Sequence, residues 1–146
     1  MRSTILTATL LFAMSIPSFA SEKVADTRLL HDLSSAFRKT EQVSWVSKSS
    51  YRQASFNFKN QQATAFYGSD KELIGYSIQV SKTDLPKIVT DAMKDNYNDW
   101  AVTDAIMFVD TDGYVSYFIQ AVTKNKGQIL EISTDGDLSV YKTMKK

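Results

Sequence analysis

Residues 51–68, YRQASFNFKNQQATAFYG, carry the clearest structural signal in the chain. Ala54, Phe56 and Phe58 alternate with Gln53, Ser55 and Asn57. After Lys59-Asn60-Gln61, Ala63, Ala65 and Tyr67 alternate with Gln62, Thr64 and Phe66. A period of two sends successive side chains to opposite faces of a strand. The linker is short and rich in turn formers, so the two strands pair antiparallel as a hairpin.

The same pattern extends outward. In Leu73–Val80, Ile74, Tyr76, Ile78 and Val80 alternate with Gly75, Ser77 and Gln79. Further on, Val115, Tyr117, Ile119 and Ala121 alternate with Ser116, Phe118 and Gln120. Leu130 and Ile132 oppose Glu131 and Ser133, and Leu138 and Val140 oppose Ser139 and Tyr141. Val43–Val46 and Val102–Val109 complete the set; the latter is apolar on both faces, which predicts a central position. Gly68-Ser69-Asp70-Lys71, Asp110-Thr111-Asp112-Gly113, Lys124-Asn125-Lys126-Gly127 and Asp135-Gly136-Asp137 are the remaining turns.

Two amphipathic helices precede the two groups of strands. Leu29, Leu30, Leu33, Ala36 and Phe37 form one stripe over Asp26–Lys39, with Asp26 or Thr27 as the cap. Leu85, Ile88, Val89, Ala92, Met93 and Tyr97 form another over Leu85–Tyr97, with Thr83 or Asp84 as the cap and Pro86 in the first turn. The chain therefore reads as two α-β4 units, about 26–80 and 83–142, in pattern rather than identity. Two helices cannot cover both faces of eight strands. The expected fold is α+β: an eight-stranded antiparallel sheet with both helices on one face and the reverse face wet.

Residues 1–20 read as a secretory signal. Arg2 precedes the apolar run Ile5–Ile16, Pro17 ends it, and Ser18-Phe19-Ala20 supplies the small residues of a cleavage site. The run is too short to span a bilayer of about 30 Å. Cleavage leaves Ser21–Lys146 as a single domain, exported to the periplasm or the medium, with no further membrane insertion expected. In the whole chain 17 Lys and Arg face 16 Asp and Glu. Arg2 is the signal's only charge, so the mature domain is neutral, which argues against nucleic acid as a partner. There is no Cys, so the domain forms without disulfides or a lipid anchor on Cys.

Catalytic parts are scarce. His31 is the only His and lies beside the first helix's apolar stripe. There is no Cys nucleophile, no G-x-S-x-G elbow and no Gly-rich phosphate loop. Asp110, Asp112, Asp135 and Asp137 flank glycines. They read as turn residues, since a calcium loop needs further oxygen ligands and a distal Glu. No cofactor and no metal site is expected, and the protein reads as non-catalytic.

The aromatic residues divide by phase. Trp45, Phe56, Phe58, Tyr67, Tyr76, Tyr97 and Tyr117 belong to the expected core between sheet and helices. Phe66, Phe118 and Tyr141 fall on the opposite phase with Gln53, Ser116 and Gln120. Rings among polar residues on an uncovered sheet face make a contact surface. These six residues are the candidate binding site, with a protein as the expected partner.

The run Phe37, Val43-Ser44-Trp45, Tyr51–Phe56, Ala63–Tyr67 and Asp84-Leu85-Pro86 to Tyr97 resembles the PepSY-like, or β-lactamase-inhibitor-like, secreted proteins of Bacteroidota-type bacteria. The second half matches more loosely through Val109–Tyr117 and Ile132–Leu138. The resemblance implies two α-β4 units with both helices on one face, and a sheet face and loops that grip a protein. It implies no catalytic residue. One departure is Gly68–Leu73, where Lys71-Glu72 stands in place of the usual late glycine of the turn. Two other readings remain: an α+β fold around an apolar pocket, with Asp104 or Glu131 as its carboxylate, and a calcium-dependent envelope module built on the Asp loops.

Overall fold

The computed structural model describes residues 25–145. The expected signal segment, residues 1–20, lies outside them. Helix α1 (Thr27–Lys39) is followed by β1 (Ser44–Ser47), β2 (Tyr51–Phe58), β3 (Gln61–Gly68) and β4 (Leu73–Gln79). A short 3-10 helix (Lys82–Asp84) and α2 (Lys87–Tyr97) lead to β5 (Ala101–Asp110), β6 (Val115–Val122), β7 (Lys126–Ser133) and β8 (Leu138–Lys145). The eight strands form one antiparallel sheet in sequence order, β1 to β8, as short connections require. The central place expected of Val102–Val109 is that of β5.

Two compact units divide the chain, 25–79 with 108–115 and 80–107 with 116–145 among the described residues. In the first, Asp26 caps α1: its Oδ1 accepts from the Leu29 N–H at 2.9 Å. The cap residue's own N–H donates to the Gly113 carbonyl at 2.7 Å, tying the helix start to the β5–β6 turn. Leu33 is fully buried. Phe37 sits among Trp45, Phe56, Tyr67 and Tyr76, at ring-centroid distances of 6.4, 5.1, 6.4 and 6.4 Å. Burying each large apolar side chain here contributes about 1.5–3 kcal/mol.

The β2–β3 hairpin pairs Phe58 with Gln61, so its loop is the two residues Lys59-Asn60. Both have positive φ, 50° and 65°, the type I′ geometry whose twist matches that of the strands. Asn57 Oδ1 accepts from the Asn60 N–H at 3.1 Å and holds the turn.

In the second unit, Val89 and Met93 of α2 pack on Ala105, Ile119, Ala121, Leu130 and Ile132. Tyr97 closes the end of this layer by donating its hydroxyl to Gln128 Oε1 at 2.7 Å. The helix starts later than its apolar stripe predicts. Leu85 is extended (ψ 136°), and Pro86 is the cap rather than part of the first turn. The proline ring disfavours helical backbone at the residue before it. Leu85 therefore packs from an extended segment, and neither Thr83 nor Asp84 is the cap.

Trp45 corrects another expectation. It belongs to the helix-side phase, but 47% of it is exposed. Its strand is the end of the sheet, so a neighbour covers only one flank.

Candidate functional site

The strand registers assign the two phases. Ala54, Phe56, Ala63, Ala65, Tyr76 and Ile78 share the α1 side through the pairs Ala54–Ala65, Phe56–Ala63, Ala65–Tyr76 and Ala63–Ile78. Gln53 pairs with Phe66, and Phe66 with Gly75, on the reverse side. In the other unit, Tyr117, Ile119 and Ala121 take the α2 side. Ser116, Phe118 and Gln120 pair with Ser133, Glu131 and Ile129 on the reverse. Tyr141 joins them, its ring edge-on to Phe118 at 5.6 Å. All six candidate residues therefore have the phase that alternation assigns them.

Their depth differs from the expected wet face. Phe66 and Phe118 have no exposed surface, and Gln120 is 7% exposed. Gln53, Ser116 and Tyr141 are half-buried. Thr64, Ser77, Glu131 and Ser133, polar residues of the same phase, are buried too. Alternation reports which side a residue takes, but not how much lies over it.

In the first unit, Phe66 lies between Tyr51 and Phe108, at centroid distances of 6.4 and 6.0 Å. Gly75, opposite Phe66 in register, makes the space: a Cβ there would stand 2.7 Å from Phe108 Cζ and 2.5 Å from the Val109 carbonyl oxygen. The register shifts between Phe66 and Tyr67, so that Ile74 of β4, next to Gly75, is skipped in the pairing. Tyr51 is buried, and its hydroxyl finds no hydrogen-bond partner among the described residues. Burial raises its pKa above the ordinary tyrosine value, because the charged form loses solvation. Gln53 Oε1 in this unit and Gln120 Oε1 in the other are likewise buried without a partner. A buried, unpaired polar atom costs about 1–3 kcal/mol. Sequence reasoning missed Tyr51 and Phe108 as members of this surface. The odd-numbered phase of β2 was the available signal for Tyr51.

The aspartates serve the turns. Asp110 Oδ1 accepts from the N–H groups of Asp112 and Tyr114, both at 2.9 Å. The β7–β8 turn repeats the device with a hydroxyl: Ser133 Oγ accepts from Asp135 and Asp137 at 3.2 and 3.1 Å. Both turns place a glycine, Gly113 or Gly136, at φ 88°. The β3–β4 turn has Lys71 at φ 68° in the corresponding left-handed state, while Asp70 Oδ1 accepts from the Glu72 N–H at 3.0 Å. The lysine replaces the expected glycine without changing the local form.

Among the described residues, no group of three His, Cys, Asp or Glu is placed to hold a metal, and no helix is long and apolar enough to cross a membrane. His31 is exposed on α1. An open cleft of about 800 Å³ lies where the chain enters β1, between Thr40–Ser44 and Phe56, Asn57 and Gln62. Neither Asp104 nor Glu131 lines it. Asp104 is half-buried and accepts from the Ala105 N–H.

A sheet of eight strands in sequence order, with helices before its first and fifth strands, is also present in several solved structures. A BLIP-like protein from Bacteroides fragilis superposes with a TM-score of 0.66 at 16% identity, over 86% of this chain and 91% of that one. The chain has the BLIP-like fold. A DUF2874 family protein from Bacteroides uniformis gives 0.64 at 11% identity, over 84% and 90%. A candidate periplasmic protein from Bacteroides eggerthii gives 0.63 at 13%, over 84% and 89%. No family model and no curated relative matches the sequence. At these identities the BLIP-like likeness establishes the fold alone.

Proposed function

We propose that the protein is a non-catalytic module of the periplasm or cell exterior, and that the reverse phase of its sheet binds a polypeptide. Export follows from the signal-like segment 1–20, and one structural neighbour is itself a candidate periplasmic protein. The single observation that carries the binding proposal is the mixture on the reverse phase of each unit: rings at Phe66 and Phe108 with Tyr51 and Gln53 in one, and rings at Phe118 and Tyr141 with Gln120 in the other, where the Tyr51 hydroxyl and the two carboxamide oxygens have no partner among the described residues. The buried rings hold the more exposed side chains in place, Phe118 edge-on to Tyr141 and Phe66 opposite Gln53 in register, and tyrosine is a residue type that carries binding energy at interfaces. The half-buried Gln53, Ser116 and Tyr141 are the points of first contact.

The BLIP-like label of the Bacteroides fragilis structure accords with a protein-binding role, and an enzyme is the natural partner class for an inhibitor or modulator. Fold does not imply function, so the test is positional. A photo-crosslinking phenylalanine analogue replaces Gln53 or Tyr141 in the exported mature chain, and Lys87, exposed on α2, serves as the control. One discrete adduct from Gln53 and Tyr141 and none from Lys87 supports the proposal. Adducts from Lys87 alone, or none from either strand position, contradict it.

A further inference from the structure

Among the described residues, strand β1 ends the sheet and pairs on one side only, with Ser44–Ser47 set against Arg52–Ser55 of β2. All four residues are exposed. Trp45 is 47% and Val46 40% exposed, on opposite faces. The indole is not loose. It packs on Phe37 and Tyr67, and the Arg52 guanidinium lies 4.6 Å from its ring centroid.

The hairpin geometry identifies the unused backbone groups. Lys48 N–H donates to the Tyr51 carbonyl at 2.7 Å. Hydrogen-bonded pairs alternate along an antiparallel ladder, so Val46 and Ser44 face β2. The N–H and C=O groups of Trp45 and Ser47 therefore point outward, away from the sheet. From Gln42 to Ser47 the chain has neither charge nor proline. These are the devices that natural edge strands use against pairing. The last strand, β8, has such a charge in the exposed Lys142.

We infer that β1 is a self-association edge, and that a second copy of this chain is its occupant. A two-fold axis perpendicular to the sheet at Val46 sets Trp45 of each copy opposite Ser47 of the other. Their outward groups then exchange four hydrogen bonds. The two Val46 side chains meet in the close, non-hydrogen-bonded spacing on one face. On the other, each indole gains a flank beside the partner's Ser47. No like charges oppose within the paired segment, and an isologous contact of this kind closes after two copies. Four residues a side bury much less than the roughly 1,200 Å² of a stable interface, so the dimer is a weak one. This inference does not rest on the proposed binding face.

The test is sedimentation equilibrium of the mature chain from about 20 μM to about 2 mM, a range that brackets weak association. The expected result is concentration-dependent dimer formation that Val46→Lys weakens at least tenfold, by opposing two ammonium groups at the axis. Ser47→Pro, which removes an outward donor and no bond within the chain, has the same effect and covers the case in which Val46→Lys does not fold. A chain that stays monomeric throughout overturns the inference, as does a dimer that neither substitution weakens. Failure here leaves the crosslinking result untouched.

Discussion

Gly75 and Phe108 are matched in shape: the phenyl ring fills the volume that a side chain at residue 75 would need, so close that a Cβ would lie 2.7 Å from it. The contact stacks Phe108 towards Phe66 at 6.0 Å and builds the apolar part of the reverse phase in that unit.

Gly75→Ala therefore destabilises the fold. The Cβ also meets the Val109 carbonyl oxygen at 2.5 Å, and backbone cannot yield as a flexible side chain can. The expected loss is about 3 kcal/mol, at the upper end of ordinary overpacking, read from urea unfolding. A change below about 0.5 kcal/mol, within the range of ordinary surface substitutions, would contradict the packing described here.

Lys71→Gly acts in the opposite direction. Lys71 holds φ 68°, a region that costs a residue with a Cβ roughly 1–2 kcal/mol, part of which the greater freedom of glycine in the unfolded chain offsets. The substitution raises the thermal midpoint by a few degrees, corresponding to a gain of up to about 1 kcal/mol in a domain of this size. The same measurement on Gly136→Ala gives a fall, because φ is 88° and the new Cβ stands 3.2 Å from Ile88.

Alkaline pH weakens the domain through its tyrosines. Burial raises the pKa values of Tyr51, Tyr67 and Tyr97, and the neighbouring Tyr76 adds to the effect at Tyr67. Above the ordinary value of 10.0 the unfolded chain releases these protons before the folded one does. The stabilisation is complete below that pH and is lost as pH rises through the folded values. Absorbance titration shows the three groups ionising late, with stability falling over the same interval. Tyr51→Phe removes the Tyr51 part of that fall.

Alternation makes the two phases readable: the period of two places Phe66, Phe118 and Tyr141 away from the helices, and of the two cap candidates, Asp26 and Thr27, it is Asp26 whose Oδ1 accepts from the Leu29 N–H. What the pattern could not convey was depth. Phe66 owes its burial to Phe108, which is forty-two positions away in sequence and admitted by a glycine that looks like a weak strand residue. Trp45 has the phase of the core. Its exposure follows from its place at the end of the sheet, which one strand's sequence does not encode. Pro86 marks the helix start, but the extended geometry it forces on Leu85 overrides an apolar stripe that begins at Leu85.

The most direct measurement of the central claim is fluorine NMR of the mature chain labelled uniformly with 4-fluorophenylalanine, titrated with the polypeptide recovered by crosslinking. The account predicts that the signals of Phe66, Phe108 and Phe118 shift on binding while those of Phe37, on α1, and Phe56, packed against it, stay in place. Movement of the Phe37 and Phe56 signals alone would put the contact on the helix side and contradict it.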